Sequence, residues 1–115
     1  MEKQLTMLVL RDGENGLAFK ERKGAVIRET EKMVMVDWLD EQGRERGIER
    51  KILKRKLDAL DDISEGTHYV SMKVYTLTEE KVRLHKEEML RRLQEHLAET
   101  KAKVSAIETL LSEEG

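Results

Sequence analysis

The sequence predicts an α+β protein, in which a small antiparallel β-meander is followed by one long C-terminal helix. Residues 4–77 contain short aliphatic and β-branched runs separated by turn residues, which is typical of consecutive strands. Residues 78–112 contain no Gly, Pro or Asn and place apolar residues at helical spacing. We therefore divide the chain into a β domain, residues 1–77, and a helix, residues 78–115.

The first two strands are predicted on either side of a tight turn. Residues 4–11 are mostly apolar and end at two turn signals, Asp12-Gly13 and Asn15-Gly16. Residues 17–29 form the second strand, in which Gly24 marks a bulge or a close approach of another group.

The third strand is predicted over residues 32–39, because its apolar residues alternate with other side chains. Asp40 to Gly43 forms a hairpin turn, and a return strand runs from Arg44 to about Ile52. Residues 51–63 fit a short helix as well as a strand, because leucines recur there at helical spacing. Residues 67–77 form the last strand, which β-branched residues favour.

The stretch from Gly24 to Trp38, with the charged hairpin after it, resembles the central hairpin of SH3-like and Tudor-like barrels. The resemblance covers about 30 residues and implies that the sheet curls into a partial barrel. Tudor-like readers use an aromatic cage, whereas only Trp38 lies in this stretch. The resemblance therefore implies no ligand.

The predicted helix begins at Thr78, whose hydroxyl suits an N-cap. Its apolar stripe has heptad spacing with one four-residue stutter, which is typical of a coiled-coil contact. We expect a homodimer or higher oligomer through this stripe, formed by Val82, Met89, Leu93, Leu97, Val104, Ile107 and Leu111. The alternative is a helix that packs half its length on its own domain and continues as a tail. A helical hairpin that breaks near Thr100 is a third possibility, although no turn residue marks a break.

Composition limits the classes of protein to which the chain belongs. It has no Cys, so it holds neither a disulfide nor a thiolate metal site, which suits a cytoplasmic protein. Its apolar runs are too short to span a membrane. We find no motif for catalysis, a cofactor or a metal ion, and we expect a protein that is not an enzyme. His85 and His96 are expected to flank the helix as solvated side chains.

The charge feature above background lies between residues 44 and 56, where basic residues outnumber acidic ones although the whole chain has a formal net charge of −2. We predict a ligand-binding basic patch formed by Arg44, Arg46, Arg50, Lys51, Lys54 and Arg55. Five upstream cations could join it across the sheet, namely Lys20, Arg22, Lys23, Arg28 and Lys32. Arginine guanidiniums bind phosphates with bidentate geometry. The alternative is a solvated surface whose charges pair with the abundant Asp and Glu.

These observations favour a homo-oligomeric binding protein that captures a phosphate-bearing ligand. Small accessory proteins of phages and mobile elements have this size and charge density, including those that sequester nucleotide signals. Two alternatives remain open at this stage. One is an adaptor or inhibitor that docks on a host protein complex, and the other is an accessory protein that binds nucleic acid.

Overall fold

The computed structural model describes residues 3–66 and 69–114, which form one curled antiparallel sheet and one long helix. The strand order is β4-β3-β2-β1-β6-β5, so the first four strands form the predicted meander and β6 returns to β1. The α+β prediction is confirmed. The elements are β1 (Gln4–Gly13), β2 (Gly16–Glu29), β3 (Met33–Trp38), β4 (Glu49–Leu53), β5 (Ser64–Glu65), β6 (Val70–Thr76) and α1 (Glu80–Glu114).

Gly24 lies under the indole of Trp38 rather than at a bulge. A Cβ atom at this position would lie 3.1 Å from Trp38 Cε3, so a side chain here would push the indole away from β2 by a few tenths of an ångström. The bulge occurs instead between Val26 and Arg28, where the register of β2 against β3 shifts. The predicted close approach at Gly24 is thus confirmed: the indole of Trp38 packs directly on the backbone of β2.

The segment after β4 curls the sheet into a half-barrel. A 3-10 turn at Lys54–Lys56 follows β4, and Leu57 then forms a parallel bridge with Tyr75 of β6. The curled sheet encloses an apolar core, which we call the inner core. Its fully buried members include Leu5, Val34 and Val36, and a separate core lies between the sheet and α1. Residues 51–63 are therefore part strand, part 3-10 turn and part irregular chain.

The fourth strand is shorter than predicted, because residues 44–48 form a loop. The carboxylate of Asp37, which is buried, accepts hydrogen bonds from the backbone N–H groups of Arg46, Gly47 and Ile48 at 2.7 to 3.4 Å. These donors would otherwise pair with β3. Gly47 has a φ of +76°, which a residue with a side chain rarely adopts. The last strand begins at Val70, and the predicted residues 67 and 68 lie outside the described residues.

The N-terminal half of α1 packs on β1 and β6. Its side chains Val82, Met89 and Leu93 are buried against Leu8, Leu10, Met72 and Val74 of the sheet. The helix is continuous from Glu80 to Glu114, so there is no helical hairpin at Thr100. Thirty-five residues at a rise of about 1.5 Å give a length of about 52 Å, so the C-terminal half extends past the sheet. In the described part of the chain no helix has the apolar length to cross a membrane.

His85 lies in the interface between α1 and the sheet, and it is not the solvated side chain that the sequence predicts. Its Nε2 atom lies 2.9 Å from Oδ1 of Asp58, and Lys81 Nζ donates to the same carboxylate at 3.3 Å. Partial burial acts to raise the pKa of Asp58, but hydrogen bonds from His85, Thr76 and Lys81 outweigh it and hold the pKa below its ordinary value. Asp58 therefore fastens the loop after β4 to the helix.

Asp58→Asn is expected to reduce the acid sensitivity of the protein. Because the folded-state pKa of Asp58 is lowered, its contribution to the free energy of unfolding is present above the unfolded pKa of about 3.9 and is lost as the pH falls through the lower folded value. The variant should lose about 1 kcal/mol at pH 7 and converge toward wild type below about pH 4. Thermal unfolding at several pH values measures this difference, and a difference that does not change with pH contradicts the role of Asp58.

Candidate functional site

The sheet has two faces, and α1 covers part of only one. Along β1, Leu8 and Leu10 point toward α1, so Met7, Val9 and Arg11 lie on the opposite side, because successive residues of a strand alternate. We call this opposite side the concave face, since the half-barrel curls around it. Register places Met7 between Arg22 of β2 and Tyr75 of β6, so these three residues lie in one row across it.

Trp38 occupies the end of the concave face near β3 and β4. Its ring stacks on that of Tyr75 with the centroids 6.4 Å apart, and the guanidinium of Arg22 lies 5.2 Å from the indole centroid. Arg46 and Arg50 line the same cavity, which has a volume of about 310 Å³. We name this cavity the Trp38 site, with lining residues Arg22, Asp37, Trp38, Arg46, Ile48 and Arg50.

Asp37 and the register of β4 position two of these guanidiniums. Asp37 holds the loop that carries Arg46 through the three backbone hydrogen bonds described above. Arg50 pairs with Val36, whose side chain lies in the inner core, so Arg50 also faces the concave side. The carboxylate of Asp37 is already occupied by backbone donors, and it is thus not the counter-ion of the neighbouring arginines.

The guanidiniums of the Trp38 site have no acidic partner within the described residues. Over residues 3–66 and 69–114, no carboxylate lies within salt-bridge distance of Arg22, Arg46 or Arg50. Neighbouring Glu49 pairs with Arg28 instead, with 3.2 Å between Glu49 Oε1 and Arg28 Nε. Like charges gathered around one ring repel one another, and an anion bound between them relieves that repulsion.

The structure divides the predicted basic patch. Arg46 and Arg50 come together with Arg22, one of the five upstream cations, whereas Lys23 and Arg28 pair with Glu79 and Glu49. Arg44 pairs with Asp40 at 3.3 Å, as the solvated alternative expects. The other predicted residues lie elsewhere: Lys51 points to the opposite face of β4 because it alternates with Ile52, and Lys54 and Arg55 lie in the 3-10 turn. Whether any of them binds a ligand stays a prediction.

Sequence reasoning did not include Trp38 or Asp37 in the site. A signal for Asp37 was present, because a carboxylate inside an otherwise apolar strand must find hydrogen-bond donors when it is buried. The glycine-containing loop supplies them, from backbone N–H groups nine to eleven residues further on. The proximity of Trp38 to Arg22 follows from the β2–β3 register, which no residue pattern specified.

The predicted oligomerisation stripe is also divided by the structure. Val82, Met89 and Leu93 lie in the chain's own core. The same helix face continues beyond the sheet, and there its apolar side chains are uncovered within the chain: Leu97 is 46% exposed, Val104 48%, Ile107 57% and Leu111 65%. The alternative of a half-packed helix therefore describes the single chain, and pairing of the exposed half with a second copy stays a prediction.

Comparison with protein-family models, curated proteins and solved structures gave no match. The function of the chain is therefore inferred from its own residues. Two features support the inference, namely the Trp38 site and the exposed C-terminal half of α1.

Proposed function

We propose that this protein is a non-enzymatic, self-associating binding protein that holds a phosphate-bearing ligand with a planar ring, such as a nucleotide unit, in the Trp38 site. The observation that carries the proposal is the gathering of Arg22, Arg46 and Arg50 around one indole without acidic partners among the described residues. A cation cluster alone suits any anion. The indole adds a surface on which an aromatic ring stacks.

Each part of the site matches one part of a nucleotide. Guanidiniums bind phosphate oxygens through paired, charge-assisted hydrogen bonds, and arginine does so with better geometry than lysine. Aromatic side chains stack on bases, and each stacked base contributes about 1–3 kcal/mol. Trp38 is half-buried: Gly24 and Tyr75 contact its ring, the guanidinium of Arg22 lies over it, and the ring lines the cavity.

Self-association is proposed through the exposed half of α1. Its stripe of Leu97, Val104, Ile107 and Leu111 continues the face that packs on the sheet, and it repeats at three and four residues except across Thr100. A helix that projects alone with such a stripe leaves apolar area in water, and a second copy of the same helix covers it with no other partner needed. Docking of this stripe on a host protein is the alternative.

We also propose a biological role for the Trp38 site. Sequestration of a nucleotide signal is one way in which such a site works, and a cytoplasmic location and a phage or mobile-element origin agree with it. A protein that only sequesters its ligand needs no catalytic group beside the Trp38 site.

The test is titration of the single tryptophan's fluorescence. Because Trp38 is the chain's one Trp, a ring that stacks in the site changes its emission directly. We expect thymidine-containing dinucleotides to quench it, with an affinity that falls as salt concentration rises. In Arg22→Ala/Arg46→Ala/Arg50→Ala the affinity should fall at least 100-fold, since each lost guanidinium–phosphate contact removes on the order of 1 kcal/mol or more.

The control triple variant Lys51→Ala/Lys54→Ala/Arg55→Ala removes the same charge from the other part of the predicted basic patch. We expect its affinity to stay within about threefold of wild type, because screening at physiological salt limits distant charges. Equal losses in both variants would mean that net charge rather than the Trp38 site governs binding. An unquenched wild-type protein would contradict the proposal.

A further inference from the structure

We infer that the ligand of the concave face is a single-stranded nucleic acid, which runs from the Trp38 site to a second aromatic site at Tyr69. The inference rests on the proposed function, because it extends the same phosphate and ring chemistry along the sheet. It adds the class of ligand: a polymer several nucleotides long, rather than a mononucleotide.

The second aromatic site lies at the turn between β1 and β2. The guanidinium of Arg11 lies 4.5 Å from the ring centroid of Tyr69, and Tyr69 is 37% exposed. A cavity of about 560 Å³ adjoins this pair and is also lined by Lys20 and by the backbone of the Gly13–Gly16 turn. Like the Trp38 site, this Tyr69 site combines a partly exposed aromatic ring with cations, and the ring is flanked by Gly66 and by the guanidinium of Arg11.

A continuous surface connects the two sites. A shallow cavity of about 280 Å³ lies between them, and it shares Arg22 with the Trp38 site and both Arg11 and Lys20 with the Tyr69 site. Its floor is apolar, formed by the half-buried side chains Met7 and Val9. Cations thus line the whole path while its floor suits the faces of bases or sugars.

The path is too long for one nucleotide. Met7 shares a row with Arg22 and Tyr75, and Gly13 lines the Tyr69 site, so the two sites are separated by the span from Met7 to Gly13 on β1. That span is about 20 Å at the rise of an antiparallel strand. At an axial rise of about 3.4 Å per nucleotide of a stacked strand, it accommodates up to about six nucleotides.

A third cation–aromatic pair lies beside the path. Lys73 Nζ is 5.3 Å from the ring centroid of Tyr75, which itself stacks on Trp38. Among the described residues, each acidic group near the path has a partner or lies at its edge. Asp37 accepts backbone hydrogen bonds, Asp61 lies 4.0 Å from Lys73, Glu21 is paired with Lys86 of α1, and Glu14 lines the outer rim at Tyr69. The charge of the path is therefore complementary to a polyanion.

Stacking on side chains selects a single strand over a duplex. In a duplex the bases stack on one another and their faces are hidden, so Trp38 and Tyr69 would have nothing to stack on. A positively charged path with successive aromatic rings is the arrangement by which proteins bind single strands with little sequence preference. An acidic peptide would use the cations but would leave both rings without a ligand.

The experiment is a length series of oligothymidylates with two, four and eight nucleotides, titrated against Trp38 fluorescence in the full chain. We expect the affinity to rise at least tenfold from two to eight nucleotides. In Tyr69→Ala, the affinity for eight nucleotides should fall about tenfold while that for two nucleotides is unchanged. Tyr69→Phe keeps the ring and should behave as wild type in both titrations. An eight-base-pair duplex should bind more weakly than the single strand.

The outcomes separate this inference from the proposed function. Equal affinities for two and eight nucleotides, or an effect of Tyr69→Ala on both lengths alike, would overturn the single-strand path and leave the Trp38 site standing. Absence of quenching at every length would overturn both. A duplex that binds as tightly as the single strand would show backbone electrostatics without base stacking, which also contradicts the inference. Circular dichroism measures whether Tyr69→Ala folds. If that variant is unfolded, the length series with the wild type and with Tyr69→Phe still tests the inference.

Discussion

Val104→Asp together with Ile107→Asp is expected to convert the protein into monomers without changing its fold. Both side chains lie on the part of α1 that extends past the sheet, and both are about half exposed in the single chain. In a pair of helices the exposed half of each side chain would be buried, which contributes about 1 kcal/mol for each of the four side chains of a dimer. The variant should therefore weaken self-association more than 100-fold, which sedimentation velocity over a concentration series measures.

Ala98→Asp together with Ala102→Asp is the matched control. These alanines are exposed on the opposite side of the same helix segment, about half a turn away from the stripe. The control introduces the same two carboxylates and loses more helix propensity than the test variant, because alanine is the best helix former, yet self-association should change little. Should both variants keep the oligomer of the wild type, or should the wild type itself be a monomer, the helix pairing is wrong.

Leu93→Asp is expected to unfold the protein, whereas Leu97→Asp, one helical turn further on, should leave it folded. Leu93 is 4% exposed in the core between α1 and the sheet. Removing its packing costs about 2–5 kcal/mol, and burying a carboxylate there adds more, so the total approaches the whole stability of a small domain. Leu97 is 46% exposed, and its carboxylate would be hydrated in the monomer.

Urea denaturation followed by circular dichroism measures this contrast. The pair of variants places the boundary between the packed and the projecting halves of α1, because the two substitutions are chemically identical. An Asp at position 97 as damaging to the monomer as one at position 93 would contradict that boundary. Leu93 is for this reason unsuitable for testing self-association, although it belongs to the predicted stripe.

The sequence predicted the type and order of most elements, because local signals mark them. Turn residues at Gly13 and Gly16 fix the first hairpin, and the absence of helix breakers after Thr78 fixes α1. The return of β6 to β1 was beyond reach, since pairing between strands some 60 residues apart depends on the whole fold. Residues 44–48 were predicted as part of a strand but form a loop, because backbone donors there pair with the buried side chain of Asp37 rather than with β3.

The candidate binding surfaces could be predicted only in part, because they too depend on how the strands pair. A run of basic residues is visible in sequence, but alternation sends Lys51 and Arg50 to opposite faces of β4. Trp38 lies in β3, Tyr75 in β6 and Arg22 in β2. These residues are distant in sequence, and pairing of the strands brings them together. The heptad stripe was likewise continuous in sequence, whereas the edge of the sheet divides it into a buried and an exposed half.

Chemical-shift mapping with an eight-nucleotide oligothymidylate tests the central claim most directly, namely that the concave face binds a phosphate-bearing ligand by its rings and guanidiniums. The indole N–H of Trp38 gives one resolved signal, because the chain has a single Trp. We predict that this signal and the amides around Arg11, Arg22 and Arg50 shift on titration, while those of Lys51 and the C-terminal half of α1 do not. Shifts confined to the opposite face or to the helix, with the Trp38 signal unchanged, would contradict the account.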